Sequence, residues 1–149
     1  MKTRGFEVVF SFLEKDILLP KRNTSGSAGY DLEAAETVTI SPGEIIPCPT
    51  GLKAYMQDSE VLQVYPRSSL AVKKHLILIN SVGIIDKDYY NNESNEGHIQ
   101  VLLYNYGKET VTIQKHERVA QGIFMTFLKA DNEPNQHAKR LGGFGSTGN

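Results

Sequence analysis

The stretch His98-Ile99-Gln100-Val101-Leu102-Leu103-Tyr104-Asn105-Tyr106-Gly107-Lys108-Glu109-Thr110-Val111-Thr112-Ile113-Gln114 decides the class of fold. Ile99, Val101 and Leu103 alternate with His98, Gln100 and Leu102, and Val111 and Ile113 alternate with Thr110, Thr112 and Gln114. A period of two sends successive side chains to opposite faces of a strand. Between the two runs, Asn105-Tyr106-Gly107-Lys108 is a turn signal. Outward from here the pattern repeats: Val38 and Ile40 alternate with Thr37 and Thr39, and Val8, Phe10 and Phe12 with Glu7, Val9 and Ser11. Ser41-Pro42-Gly43 and the polar tract Asn91 to Gly97 punctuate the runs. Many short strands with regular punctuation predict an all-β sandwich or barrel. One short helix is expected over Ser69 to Lys74, with Ser68 or Ser69 as its cap.

The 149 residues amount to one domain, large enough to bury a core without disulfides or metals. Hydrophobic residues make up 40%, charged residues 22%, and the net charge is −1, with a pI near 6.4. That balance excludes a basic nucleic-acid binder driven by phosphate attraction, and it is not that of a disordered chain. A single cysteine, Cys48, cannot form an internal disulfide, which favours a reducing compartment. No run approaches the 18 apolar residues of a membrane span, and Arg4 and Glu7 interrupt the N-terminal apolar run, so no secretory signal is expected. A cytoplasmic, single-domain protein follows, with a core over residues 1–130 and a tail over 131–149. The tail is polar, then glycine-rich, and its composition orders only against something else. Residues 21–29 (KRNTSGSAG) have the character of an exposed loop.

Several chemistries are excluded. There is no phosphate-binding GxxxxGK[ST] loop, no HExxH or HxxxH pair, and Pro47-Cys48-Pro49 lacks the second cysteine of a zinc deaminase. Residues 143–148 match GxGxxG literally, but the pattern needs a following helix and acid, and only one residue follows. Three other segments point to a phosphorylated, flat ligand. In Pro66-Arg67-Ser68-Ser69-Leu70-Ala71 a guanidinium, two hydroxyls and the free N–H groups of a starting helix converge, as anion binding requires; a capped helix with an exposed arginine is the plainer alternative. Ile84-Ile85-Asp86-Lys87-Asp88-Tyr89 follows Asn80-Ser81-Val82-Gly83, a turn or hairpin. Asp86 after two isoleucines is expected at the edge of the core, oriented as a water-activating base, with Asp88 pointing the same way along a continuing strand; a surface pair of turn aspartates is the alternative. In Gly142-Gly143-Phe144-Gly145-Ser146-Thr147-Gly148 the glycines free backbone N–H groups to close on an oxyanion, and Phe144 offers a face for stacking; a plain linker is the alternative.

Together the segments resemble the five motifs of the all-β deoxyuridine triphosphate nucleotidohydrolases (dUTPases), in order from Ala28 to Gly148. Ala28-Gly29-Tyr30-Asp31-Leu32 is similar to the first, Pro66 to Ala71 to the second and Asn80 to Tyr89 to the third. Glu117-Arg118-Val119-Ala120-Gln121 resembles the fourth, and Gly142 to Gly148 the fifth. The resemblance implies a distorted β-barrel or jelly roll with one short helix, assembled as a homotrimer that hydrolyses dUTP to dUMP and pyrophosphate with Mg²⁺. It implies a uracil pocket on a β-hairpin lined by Asn80, Gly83, Ile84 and Ile85, closed near Gln100, with Tyr89 against the deoxyribose. Asp86 would deprotonate the attacking water. Arg67, Ser68, Ser69 and Gln121 would hold the phosphates, with Asp31 in the outer shell of Mg²⁺, through water. The tail would close over a neighbouring subunit's site, with Phe144 stacked on uracil and Arg140, Gly145, Ser146 and Thr147 near the γ-phosphate.

The chain departs from the family pattern in three places. Asn91 to Glu96 form a six-residue extension before Gly97. His116-Glu117 stands where glycine-aspartate is usual, and the expected tail arginine is displaced: Lys139 holds its position and Arg140 is one residue closer to Phe144, so Arg140 is expected at the γ-phosphate with Lys139 the alternative. Two other functions compete: a dCTP deaminase of the same superfamily, and a non-catalytic nucleotide-sensing regulator. No nucleic-acid or membrane partner is expected, and the sequence identifies no regulatory protein partner.

Overall fold

In the computed structural model, which describes residues 2–134 and 140–144, the strands are β1 (Gly5–Val8), β2 (Tyr30–Glu33), β3 (Val38–Ile40), β4 (Ile45–Pro49), β5 (Leu52–Tyr55), β6 (Glu60–Pro66), β7 (Leu76–Leu78), β8 (Gly83–Ile85), β9 (Gln100–Asn105), β10 (Val111–Ile113) and β11 (Arg118–Thr126). One helix, α1 (Ser68–Lys74), lies between β6 and β7. Among the described residues all pairings are antiparallel and divide into four sheets: β2-β11-β6-β8, β4-β9-β7, β1-β5 and β10-β3. The all-β class with one short helix is therefore as the sequence predicts. No hydrogen-bonded ring closes into a barrel among the described residues.

The alternation read from the sequence sets the core. Ile99, Val101 and Leu103 are each 1% exposed, and burying each contributes about 1.5–3 kcal/mol. The same face continues to Asn105, a fully buried polar residue. Its amide nitrogen donates to the carbonyls of Ile40 (2.9 Å) and Glu109 (2.8 Å), and its oxygen accepts from the Gly107 N–H (2.9 Å). A buried amide with these partners costs little, and it builds the turn predicted over residues 105–108. On the neighbouring strand Pro47 and Pro49 lack N–H groups, which β4 tolerates because it is a sheet edge. Between them Cys48 is fully buried, and burial pushes its thiol up to about 12.

Two local expectations are corrected. The alternation of Val8, Phe10 and Phe12 fails: β1 ends at Val8, Phe10–Phe12 form a 3-10 turn, Phe10 is 79% exposed and Val9 is buried. The Val9 N–H is drawn to the Gly51 carbonyl (2.9 Å) and the Phe10 N–H to the Glu96 carboxylate (2.9 Å), which ends the pleat. The helix begins at Ser68, its N-cap is Arg67 in extended geometry, and neither serine caps it through a side chain. It stops at His75, whose left-handed backbone (φ 56°) returns its N–H to the Leu70 carbonyl. Among the described residues no helix is long and apolar enough to cross a membrane.

His98 accepts the Gly51 N–H at Nε2 (2.9 Å) and lies 5.0 Å from the Phe12 ring. Burial holds its pKa below the ordinary 6.5, against the opposing pull of Glu96. The unfolded chain takes up this proton near 6.5 and the folded chain only at lower pH, so stability is full above 6.5 and declines as pH falls below it. Glu7 and Glu60, held below 4.5 by Lys2 and Arg4, lose their contribution only in a more acidic window. Melting temperature measured against pH should therefore begin to fall just below 6.5, and His98→Asn should remove that upper step while keeping the lower one.

Candidate active site

β7 and β8 are consecutive strands, yet they belong to different sheets. The expected hairpin is therefore a turn between sheets, with no ladder pairing its two arms. Ser81 donates to the Leu78 carbonyl (3.0 Å) and Val82 to that of Asn80 (2.8 Å), with Ser81 left-handed at φ 66°. Because the arms separate, a cavity of about 110 Å³ opens between the sheets. Val64, Gly83, Ile84 and Ile85 line one side, Leu78, Gln100, Val101 and Leu102 the other, and Asn80 and Tyr89 also border it. β8 pairs with β6 along one edge, and among the described residues no strand covers its other edge, whose backbone donors and acceptors face outward. A Cβ at Gly83 would sit 3.2 Å from the Cβ of Val64, so this edge lies close to its neighbour.

At the end of β8 the pleat stops and Lys87–Tyr89 form a 3-10 turn. Asp86 and Asp88 nevertheless converge, by this turn and not by a continuing strand. Arg140 donates to Asp86 (2.5 Å) and Asp88 (2.6 Å) and to the Gly142 carbonyl (3.0 Å). The Asp86 side chain is half exposed, so it stands outside the core edge and is oriented by the guanidinium instead of by burial. Tyr89 is buried, and burial raises its phenol above the ordinary value, which keeps it protonated. Above this ring pass Arg140, 5.9 Å from its centroid, and Gly143, where a Cβ would meet Tyr89 Cε1 at 2.9 Å. Phe144 borders the cavity and is exposed.

A second group lies on β2, β11 and the end of β6. Ladder register aligns Asp31, Gln121 and Tyr65 across three strands. Arg67, just beyond β6, donates to Asp31 (2.7 Å), and Arg118 approaches its other oxygen at 3.5 Å. Gly29 lies so close to Gln121 that a Cβ would meet its Oε1 at 2.3 Å. Ser68 and Ser69 are exposed at the start of α1. His116 takes a left-handed backbone (φ 74°) where the family has glycine, and Glu117 accepts the Gln114 N–H (2.9 Å), so this departure is a variation within a turn. Among the described residues no three His, Cys, Asp or Glu side chains cluster as metal ligands. Both Asp31 oxygens face arginines, so any cation here would be reached through water and not by direct ligation.

The structure thus joins Asn80, Gly83, Ile84, Ile85, Tyr89, Gln100, Arg140 and Phe144 around one cavity, with Asp86 at its rim. Within one chain that cavity does not include Asp31, Arg67, Ser68, Ser69 or Gln121. Lys139, Gly145, Ser146 and Thr147 lie outside the described residues. Sequence reading overlooked Arg118, which faces Asp31 from inside the fourth motif, and Gly143, whose role depends on a contact with Tyr89 distant in sequence.

This arrangement is a cavity between two sheets of an all-β frame, and comparison with known proteins identifies the family. The dUTPase family model matches residues 15–148. The deoxyuridine 5'-triphosphate nucleotidohydrolase of Lactococcus lactis subsp. lactis (strain IL1403) is 61% identical over 149 residues, 99% of each chain. The crystal structure of dUTPase from Streptococcus mutans superposes with a TM-score of 0.83 at 53% identity, covering 86% of this chain and 99% of that one. A mutant dUTPase of phage phi11 of S. aureus, described as coordinating a structural Mg(II) ion, shares the fold with a TM-score of 0.75 at 20% identity, over 91% and 98% of the two chains. The chain belongs to the dUTPase family.

The tight contact at Gly143 is testable without any ligand. The Ser94 N–H donates to the Leu141 carbonyl (3.1 Å) and so reports whether residues 140–144 are seated. In Gly143→Ala the new methyl meets a ring fixed by its own hydrogen bonds, so the Ser94 amide should exchange at least about tenfold faster by NMR, with little change in melting temperature. Undiminished protection would show that the segment tolerates a side chain there.

Proposed function

We infer that the chain is a dUTP diphosphatase, hydrolysing dUTP to dUMP and pyrophosphate and so removing dUTP and supplying dUMP for thymidylate synthesis. The observation that carries the mechanism is the placement of Asp86 directly after the uncovered edge of β8. A base read by that edge leaves its phosphate chain near this carboxylate. Backbone groups of Gly83 to Ile85 offer fixed donors and acceptors to uracil. Cytosine, with the reverse pattern, would leave buried polar groups unpaired, a large penalty, whereas the 5-methyl of thymine is excluded by fit alone. Tyr89 stands against the deoxyribose and leaves no room for a 2′-hydroxyl.

Asp86 accepts the proton of a water whose oxygen attacks the α-phosphorus. The bond from that phosphorus to the bridging oxygen breaks, and pyrophosphate departs. In the free chain Arg140 occupies Asp86; in the trimer the tail carries it to a phosphate in a neighbour's site, which frees the carboxylate for the water. Arg67, Ser68, Ser69 and Gln121 hold the phosphates. Mg²⁺ would be held mainly by those phosphates, with Asp31 reaching it through water, and would supply charge neutralisation, as suits a cation that dehydrates reluctantly. Gly145, Ser146 and Thr147 complete the closure over the γ-phosphate, and Phe144 stacks on the base.

The phosphate group and the base cavity are separate within one chain, which supports a homotrimer whose sites draw on more than one subunit. Residues 140–144 lie on their own chain's cavity here; in the trimer the tail crosses to a neighbour. The proposed setting is the cytoplasm, in keeping with the single buried cysteine.

Incubation with Mg²⁺ and each of dUTP, dTTP, dCTP and UTP, with pyrophosphate and ammonia measured together, tests the activity. Pyrophosphate from dUTP alone is expected; ammonia from dCTP would indicate a deaminase, and silence on all four a non-catalytic nucleotide sensor. Asp86→Asn should lower kcat by about 10²–10⁴ with KM changed little, and near-normal turnover would remove Asp86 as the base. Truncation before Gly142 should leave a folded trimer of weak activity, and full activity in that variant would refute closure by the tail.

A further inference from the structure

The extension Asn91 to Glu96 is built around Tyr89. The Tyr89 phenol donates to the His98 carbonyl (2.7 Å) and accepts from Asn95 Nδ2 (2.8 Å). Asn95 is itself fixed, because its Oδ1 accepts from Asn92 Nδ2 (2.8 Å) and the Gly97 N–H (3.0 Å). Those two donors settle which end of the amide faces the phenol. Asn92, 7% exposed, also donates to the Tyr89 carbonyl (2.7 Å) and accepts the Ser94 and Asn95 N–H groups. The far end of the loop is anchored as well: Lys53 donates to Asn91 and to Glu96 (2.6 Å each).

We propose that Asn95 is a positioning residue for sugar specificity: by donating to the Tyr89 phenol it fixes the ring as the wall that excludes a ribose 2′-hydroxyl. This rests on the reading of Tyr89 as the wall against the sugar. A hydroxyl is a single oxygen, and a wall rejects it only while the ring cannot retreat by several tenths of an ångström. The phenol's one hydrogen is given to a backbone carbonyl, and an oxygen lone pair receives Asn95. The donor and one acceptor of the buried tip are therefore engaged, which ties the ring at its far end.

Asn95→Asp keeps the oxygen that serves Asn92 and Gly97 and replaces the donor to the phenol by a charged acceptor. The readout is the ratio of kcat/KM for dUTP to that for UTP, measured on one preparation so that active fraction cancels. Wild type should strongly favour dUTP, and Asn95→Asp should lower the ratio about tenfold, chiefly by raising turnover of UTP. Asn95→Ala, which removes the donor without adding charge, should do the same. In a Tyr89→Phe background, itself lowered, Asn95→Asp should produce no further fall; an additional fall would mean that Asn95 does not act through the phenol and would overturn the proposal. An unchanged ratio in both Asn95 variants, with Tyr89→Ala lowering it, would overturn the positioning role and leave Tyr89 as the wall. A ratio indifferent to Tyr89→Ala as well would overturn both.

Discussion

The antiparallel pairing of β6 with β11, seven consecutive residue pairs from Glu60–Thr126 to Pro66–Ala120, holds the two halves of the site in fixed relation. On its other side β6 carries β8, whose uncovered edge borders the base cavity, and just past its end stands Arg67. β11 in turn carries β2, which brings Asp31 opposite Gln121. One central strand therefore sets the position of the cavity-lining backbone on one flank and of the Asp31, Arg67 and Gln121 group on the other. Val64 and Leu62, buried on β6, tie this ladder into the core, so a shift of one residue would reverse every one of these faces at once.

Charge in the two groups follows one scheme. Asp86 and Asp88 share Arg140, and Asp31 stands between Arg67 and Arg118. Each carboxylate is balanced by a guanidinium, the cation best matched to both carboxylate and phosphate. Exposed ion pairs of this kind contribute little to stability. They keep the arginines extended and oriented, and under the proposed function a triphosphate would meet donors already in place.

Much of this was legible in the sequence because it depends on local periodicity. Ile99, Val101 and Leu103 reveal β9 by alternation alone, and Asn105-Tyr106-Gly107-Lys108 reveals the turn that a buried amide then builds. Phe10 misled because its alternation is real but its neighbours are not: Gly51 and Glu96, distant in sequence, capture the backbone N–H groups of Val9 and Phe10. The same limit applies in the site. Asp86, Arg67 and Gln121 stand in recognisable motifs, whereas the cavity exists because β7 and β8 join different sheets, a fact of topology that no local pattern contains. The extension before Gly97 was visible only as a surplus of residues. Its three asparagines look like any surface tract until Tyr89 is seen beneath them, and Gly97, at φ 90° with no space for a Cβ beside the Tyr89 carbonyl, closes the loop where only glycine fits.

Cys48 has a consequence of another kind. The chain has no other cysteine, and this one is sealed between two prolines with a thiol that stays protonated in neutral buffer. Maleimides and iodoacetamides react with thiolates they can reach, so the folded protein is silent to them. A cysteine introduced on the surface, on α1 or in the loop before β2, would be the sole point of attachment for a fluorophore or spin label. Distances from that label could then be followed without first removing the native sulfur from the core.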